Sequence, residues 1–402
     1  MALKKPVIIV GAGIVGLSLA NGLKQAGIPF EVYERDAAID SRGQGWAITI
    51  HWALPYLEKL LAPEVLAAVL ETEVDPDVGR NDTGNFLFLN LATLDAKFKI
   101  PPAARRRVSR ERMRRALWRG VEEHVQWSKR LVDLQTTEDG VTACLEDGTK
   151  AHGCLVVGAE GSNSKVRQIL RPDAYRNAQL PVRFIGVSMN MSHEQVTPLR
   201  RLDPLLFQGS HPDTGVFLWV SMLDVPRIDP TSKSTSQDYR VQVNLSWKVN
   251  GPADEVAGDD TQRLQQMKTK ACGFHPILKA AIDSIPDGTE VLEIKLADWP
   301  CPEWDNQGRY TLVGDAAHAM TMYRGEAANH GILDAFELLQ CLQKVHDGSI
   351  GHEEALNRYE AKMRERVAPA VQLSREACLE AHDFCSLNEH SAVLRRRAIA
   401  NV

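Results

Sequence analysis

Residues 6–16, PVIIVGAGIVG, set a short apolar run directly against Gly11-Ala-Gly13-Ile-Val-Gly16. Such a run, closed by a glycine turn, is the pattern of a strand buried on both faces of a parallel sheet. Apolar residues at helical spacing follow through Leu17, Ala20 and Leu23 to Gly27, and FEVYE at 30–34 makes a second strand ending in Glu34. The segment therefore predicts a βαβ unit, and few folds accept one at their start.

Each residue of the turn has a physical task. Gly11 allows the tight bend, Gly13 lets a pyrophosphate approach the backbone, and Gly16 lets the helix pack closely on the strand. The helix N-terminus then faces the negative charge. Glu34, 18 residues beyond Gly16, falls where a carboxylate accepts ribose hydroxyls and repels a 2′-phosphate. The site suits FAD or NAD rather than NADP.

The opening MALKKPVIIVGAGIVGLSLA superficially resembles a secretory leader, because two lysines precede an apolar run. The glycine spacing assigns it to strand, turn and helix instead, so neither a cleaved leader nor a membrane span is expected. The C-terminal RRRAIANV carries no lipidation or peroxisomal signal. With 402 residues, 44% hydrophobic and 25% charged, the chain suits two interlocked domains. A net charge of −5 gives no footprint for nucleic acid, and the Arg-rich runs at 105–119 and 395–397 are expected to be solvated helix faces. Seven cysteines without a CxxC pair point to a reducing, cytoplasmic setting.

Four further stretches repeat the theme of a strand or turn presented to a ligand. RGQGWAITI (42–50) suits close backbone approach, with Arg42 near phosphate and Gly45 beside it. In VSRERMRRALWRG (108–120), Ser109 is a predicted N-cap and Arg110 falls in the first helical turn. A cation there opposes the helix dipole, which makes Arg110 a candidate for an anionic partner. CLVVGAEGSNSKVRQIL (154–170) is a strand, a turn containing Glu160, and a helix. GRYTLVGDAAH ends a strand at Asp315, where Ala316 and Ala317 leave room for a polyol chain to hydrogen-bond the carboxylate. Gly325, Glu326, Ala327, Ala328 and Asn329 then open a helix whose unpaired amides face back toward the same ligand.

Taken together, these stretches resemble the class A flavoprotein monooxygenases of the p-hydroxybenzoate hydroxylase fold. The glycine motif at 11–16 is similar to that family's FAD ADP site, GAEGSNSKVR at 158–167 to its DG motif, and GDAAHAMTMYRGEAANHGILDA to its GD motif. Arg110 falls where the family has its FAD-contacting arginine. The resemblance spans about 330 residues in the right order. Three departures stand out: Glu160 in place of Asp, Met322 in place of a Pro beside the flavin, and Ala327 in place of a second Gly.

The resemblance implies an α/β protein with a Rossmann-type FAD-binding domain, an inserted, mainly antiparallel substrate sheet and a helical C-terminus. FAD-binding parts are expected at 1–75, 99–180 and 301–370, substrate-domain parts at 76–98 and 181–300, and a helical end at 371–402. RFIGVSMNM, GVFLWVSML and YRVQVNLSWKV are the predicted strands of the second domain. In 240–247, Arg240, Gln242, Asn244 and Ser246 share one face, and Val241, Val243, Leu245 and Trp247 the other; one of them meets the pocket.

Phe217, Trp219, Asn244 and Met322 are the candidate pocket residues, and Tyr323 and Arg324 the candidate catalytic ones. His275 suits structural hydrogen bonding, His318 suits a structural hydrogen bond or an acid equally well, and no metal is needed. The family implies that NADPH or NADH reduces FAD and leaves, and that O₂ then gives a flavin C4a-hydroperoxide that hydroxylates or epoxidises an aromatic or unsaturated small molecule, such as a secondary metabolite. A Baeyer–Villiger oxygenation, a reductase or dehydrogenase without oxygen insertion, and a non-catalytic FAD-stabilised scaffold are the other readings. A monomer or homodimer is expected.

Overall fold

The structure of the chain, a computed structural model, describes residues 5–43, 45–80, 86–100, 105–226 and 238–395. Gln44 of the RGQGW turn and residues 396–402 of the C-terminal arginine run lie outside them.

The apolar run at the start becomes the strand Val7–Val10, the middle of a five-stranded sheet. Phe30–Tyr33 and Leu155–Gly158 pair with it in parallel, Val7 standing opposite both Phe30 and Leu155. Tyr310–Leu312 and Val125–Gln126 form the edges, also in parallel. Helices and the three-stranded antiparallel sheet of Leu131–Thr137, Gly140–Leu145 and Lys150–Gly153 cover this sheet, so the central strands are buried throughout, and each buried Val, Ile or Leu side chain stabilises the fold by about 1.5–3 kcal/mol. The helix Ile14–Gln25 packs against the 20-residue helix Ala327–His346 that follows Gly325. Val7–Val10 and Tyr310–Leu312, from opposite ends of the chain, thereby flank Leu155–Gly158 in one sheet, with their C-terminal ends on one edge.

A second, seven-stranded sheet carries the predicted strands Val182–Met191, Phe217–Asp224 and Tyr239–Lys248, the last lying between the other two and antiparallel to both. Leu206–Ser210, Phe86–Asn90 and Ala96–Ile100 extend it on one side and Leu292–Glu293 on the other. One pairing, Leu206–Ser210 with Phe86–Asn90, is parallel. Val241, Val243, Leu245 and Trp247 face the helices Asp260–Lys270 and Pro276–Asp283 in a core of their own. The opposite face holds Phe184, Phe217 and Trp219, packed with Tyr323 and the C-terminal residues Ala377, Cys378 and Ala381.

The last long element is the 29-residue helix His352–Glu380, which runs without a break through residue 370, where the sequence suggests a division; a short helical turn, Phe384–Ser386, follows it. Among the described residues, no helix is long and apolar enough to cross a membrane.

The arginine run at 105–119 departs from the expected solvated face. Arg107 is 5% exposed and Arg114 wholly buried. Their partners arrive from distant segments that the local pattern does not announce: Thr49 and Ser221 for Arg107, and Ala12, Ile39 and Asp36 for Arg114.

Candidate functional site

At the C-terminal edge of the parallel sheet lies a cavity of about 580 Å³. Gly11, Gly13, Glu34, Arg42, Arg110, Glu160, Asp315, Ala327 and Ala328 all line it, so nine of the sequence-predicted cofactor residues converge on one space. Gly16, Gly45, Gly325 and Asn329 support its wall without being part of the lining.

The glycine turn shows why its residues are small. Gly11 has a φ of +109°, and a Cβ there would stand 2.5 Å from the carbonyl oxygen of Ala159. A Cβ on Gly16 would stand 2.2 Å from the carbonyl oxygen of Gly11, so the helix can approach the strand only without one. Gly13 differs: the nearest protein atom to its missing Cβ is 3.9 Å away, and the room it leaves belongs to the cavity.

The three acids at the cavity are used in three ways. Glu34 is buried, with Oε2 accepting the Ala12 N–H at 2.7 Å and Oε1 the Asp36 N–H at 3.1 Å. It ties the glycine turn to the end of the second strand. Glu160 turns into its own chain, accepting from Ser164 Oγ at 2.5 Å and from the amides of Lys165 and Val166 at 3.0 and 3.1 Å. It satisfies the first two amides of the helix Lys165–Leu170, whose N-cap is Ser164. The Asp315 carboxylate alone accepts nothing from the protein among the described residues and stays accessible to the cavity, while its backbone carbonyl accepts from Arg167 Nη1 at 3.4 Å. Its deep position raises its pKa above the ordinary value of 3.8, while the charges of His318, Arg110 and Arg167 pull the other way.

Beyond Asp315 the backbone turns at Gly325, φ +62°, into the helix Ala327–His346. Glu326 at its N-cap makes no side-chain capping bond and pairs with Arg324 Nε at 2.7 Å, so the first amides at Ala327 and Ala328 face the cavity uncapped. Asn329 holds this turn against the strand Ala47–Ile50, donating to the Thr49 carbonyl at 3.0 Å and accepting from the His51 N–H at 2.9 Å. Arg42 bonds Asp36 at 2.6 Å and lies 3.6 Å from Glu34. Arg110 bonds Glu111 at 2.6 Å, its guanidinium over the Trp46 ring. Ser109 accepts from Arg112 N, which places the helix Arg110–Arg119 as predicted.

The candidate pocket and catalytic residues fall elsewhere. Met322, Tyr323, Phe217 and Trp219 form one apolar cluster behind the cavity, with Tyr323 and Phe217 ring centroids 5.0 Å apart. Tyr323 Oη donates to Ser246 Oγ at 2.7 Å. Arg324 is buried and engaged by Glu326 and the Ala392 carbonyl. Neither Tyr323 nor Arg324 reaches the cavity lining. Asn244 is buried on the same sheet face as Trp219. His318 Nε2 meets Asp334 Oδ2 at 2.5 Å and His275 caps the helix Pro276–Asp283, so both histidines do structural work.

Sequence reasoning missed several participants. Lys129, Arg130, Leu131 and Val132 line the end of the cavity nearest Glu34. Arg114 holds the glycine turn, and Arg167 is buried against the carbonyl of Ser162 and Asn177 Oδ1. For Arg114 a signal existed: it shares the apolar side of its helix with Met113 and Leu117.

This arrangement fits FAD. The space at Gly13 would accept a pyrophosphate, the unspent Asp315 carboxylate would accept polyol hydroxyls, and the uncapped helix start at Ala327 would favour negative charge on a ring system. A family model described as an FAD binding domain matches residues 4–374. The FAD-dependent monooxygenase dbaB of Emericella nidulans is 46% identical over 336 residues, which cover 82% of this chain and 84% of that protein. The FAD-dependent monooxygenase phnB of Penicillium herquei is 33% identical over 397 residues, covering 97% and 94%. Among solved structures, Klebsiella pneumoniae HpxO complexed with FAD and uric acid superposes with a TM-score of 0.74 at 21% identity, over 94% of this chain and 89% of that one. The 2,6-dihydroxypyridine-3-hydroxylase of Arthrobacter nicotinovorans gives 0.74 at 18%, over 100% of both. The chain belongs to the FAD-dependent monooxygenases of the aromatic-ring hydroxylase type.

Proposed function

We propose that the protein is a single-component monooxygenase that uses NADPH or NADH and O₂ to hydroxylate or epoxidise an aromatic or unsaturated small molecule of secondary metabolism. One oxygen atom enters the substrate, the other leaves as water, and the nicotinamide supplies the electron pair. The observation that carries this reading is a single cavity with the glycine turn at one end and Asp315 with the Ala327 helix start at the other. FAD, when bound, supplies the redox chemistry.

The chain's own residues bind, orient and exclude water. Gly11 and Gly13 present backbone to the pyrophosphate, Asp315 takes the polyol hydroxyls, and the amides at Ala327 and Ala328 face the ring. Phe217, Trp219 and Tyr323 form a dry core behind the cavity, which keeps water from that side of the site. The polar face of the second sheet, with Gln242, Asn244 and Ser246, is the one turned to this side.

Incubating the purified protein with NADPH or NADH and candidate aromatic substrates under ¹⁸O₂ tests the proposal. One labelled oxygen atom per product molecule is expected. Unlabelled product, or turnover that proceeds without oxygen, overturns it in favour of a dehydrogenase.

A further inference from the structure

A second cavity, of about 320 Å³, opens at the end of the strand Tyr239–Lys248, where the turn after Leu206–Ser210 and the last turn of the helix Asp260–Lys270 meet it. It shares no lining residue with the cavity at the parallel sheet. Its walls are held by the chain's own side chains. His211 Nδ1 accepts the amides of Asp213 and Thr214 at 3.2 and 3.3 Å, so Nε2 donates to the Gly273 carbonyl, 3.0 Å away, and ties the turn to the helix end. Gly215, at a φ of +65°, lies so close to His382 that a Cβ would stand 2.5 Å from the His382 carbonyl oxygen. On the third side Trp247 Nε1 donates to the Asp254 carbonyl at 2.7 Å, and Asp254 Oδ2 accepts the Asn250 N–H at 2.9 Å. A concave space fixed from three sides spares a ligand the cost of ordering its site, and small-molecule sites begin at about 300 Å³.

The charges around this space do not balance. Lys248, Lys270 and Asp254 all line it. Lys270 is already committed: its Nζ stands 3.5 Å from Asp254 Oδ1 and 4.5 Å from the Trp247 ring centroid, and it offsets the carbonyl end of its own helix. Lys248 is partly buried and has no acid within ion-pair distance among the described residues. His382 offers a ligand neither a proton nor a charge. Its Nδ1 donates to the Cys378 carbonyl at 2.7 Å and its Nε2 accepts from Ser246 Oγ at 2.9 Å, while burial pushes its pKa down to about 3, the charge of Lys248 adding to the effect. One cation is thus left uncompensated among the neutral groups of Thr214, Thr269 and Asn250. A partly desolvated charge without a partner favours an anion in its place. The volume sets the second condition: it is more than one inorganic anion fills, so the anion carries an organic body.

We propose that this cavity is a second binding site, which takes a small organic carboxylate with its charge on Lys248 and its body along Val216 and the backbone of Gly215 and Gly273. The site goes beyond the monooxygenase reading and stands or falls apart from it, because binding there needs neither flavin chemistry nor turnover.

The test is isothermal titration calorimetry on the purified protein, with whatever flavin it carries, using hexanoate, adipate, neutral hexanamide and inorganic phosphate. The better of the two carboxylates should bind at least about 10-fold more tightly than hexanamide or phosphate. Lys248→Met should weaken that carboxylate by about 10- to 100-fold, and Lys248→Arg should keep most of the affinity. Because Lys248 holds no acid of the protein, Lys248→Met should melt with the parent, which separates lost binding from lost folding. Cys272 places the ligand: it is exposed and lines this cavity, whereas Cys385 is exposed outside the lining. The bound carboxylate should slow iodoacetamide alkylation of Cys272, read by peptide mass spectrometry, and leave Cys385 unchanged. The proposal is overturned if no probe binds, or if phosphate or hexanamide binds as tightly as the carboxylates. Carboxylate affinity unchanged in a folded Lys248→Met protein, or Cys272 alkylated equally fast with the carboxylate bound, overturns it as well.

Discussion

Glu34 and Arg114 grip the same residue from opposite sides. Glu34 Oε2 accepts the N–H of Ala12 at 2.7 Å, and Arg114 Nε donates to the carbonyl of Ala12 at 2.8 Å. Ala12 sits between Gly11 and Gly13, so an acid from the second strand and a base from the helix Arg110–Arg119 together fix the turn that shapes the cavity. The turn's shape is therefore a tertiary property as much as a local one.

Arg114 carries most of the risk in that arrangement. It is wholly buried, and besides Ala12 it donates to the Ile39 carbonyl at 2.9 Å and to Asp36 at 3.4 Å. Arg114→Met keeps much of the volume but leaves these acceptors without their donor, and should destabilise the protein by about 3 kcal/mol, the scale for removing one partner of a buried charged pair. Urea denaturation gives the stability and the flavin-to-protein absorbance ratio gives FAD retention. Both should fall, and a variant as stable as the parent would contradict the assigned role.

Two glycines of one motif should respond in opposite ways to the same methyl group. Gly11→Ala meets both a φ of +109° and a carbonyl oxygen 2.5 Å away, so it should fail to fold or melt far below the parent. Gly13→Ala meets no protein atom nearer than 3.9 Å and should be stable to within about 0.5 kcal/mol. Its methyl group enters the cavity instead, and FAD affinity should drop by about 1–3 kcal/mol, as overpacking does elsewhere. Melting curves of the apoprotein and FAD titration separate the two effects. A Gly13→Ala protein with parental FAD affinity would remove the pyrophosphate from that position.

The contrast between what was legible and what was not follows the range of the interactions. The strand, the glycine turn, the helix and Glu34 are contiguous, and their spacing carries the geometry. Asp315 and the helix after Gly325 are likewise encoded within a few residues. Arg107 and Arg114 look like members of a solvated basic run because their partners come from 58 to 114 residues away. Glu160 was ambiguous for the opposite reason: its partners, Ser164 and the amides of Lys165 and Val166, are so local that capping competes with any ligand. The strand Leu206–Ser210 has no alternation and contains Gly209, and only its neighbours on either side make it a strand.

Asp334 should give the protein an acid limit. Its carboxylate is fully buried, accepting from His318 Nε2 at 2.5 Å, from the Gly314 N–H at 2.8 Å and from Arg366 Nη2 at 2.6 Å. Burial alone would raise its pKa, but the charges of His318 and Arg366 outweigh that and hold it well below the usual carboxylate range. A carboxyl with a lower pKa folded than unfolded contributes stability that is complete above the unfolded value, near 3.8, and is lost as pH falls toward the folded one. Asp334→Asn should thus cost about 3 kcal/mol at pH 7, and the gap to the parent should narrow below about pH 4. Denaturant melts across that range show it; a gap independent of pH would mean that the charge does not matter.

Asp315 is the mirror case, a carboxylate that the protein raises and leaves unsatisfied. Its pKa lies above the ordinary 3.8 because it is deep, and no protein group donates to it among the described residues. If polyol hydroxyls supply the missing donors, binding and ionisation support each other: FAD lowers the pKa, and protonation weakens FAD. Asp315→Ala should therefore lose about 1.5–3 kcal/mol of FAD affinity, and Asp315→Asn, which keeps one acceptor, less. In the parent, affinity should be full at neutral pH and fall as the pH drops, beginning at a less acidic point than an ordinary carboxylate would give. Asp315→Asn should lack that pH dependence. Flavin fluorescence titrations at a series of pH values distinguish the outcomes, and an affinity profile shared by parent and Asn variant would show that the carboxylate takes no part in holding the cofactor.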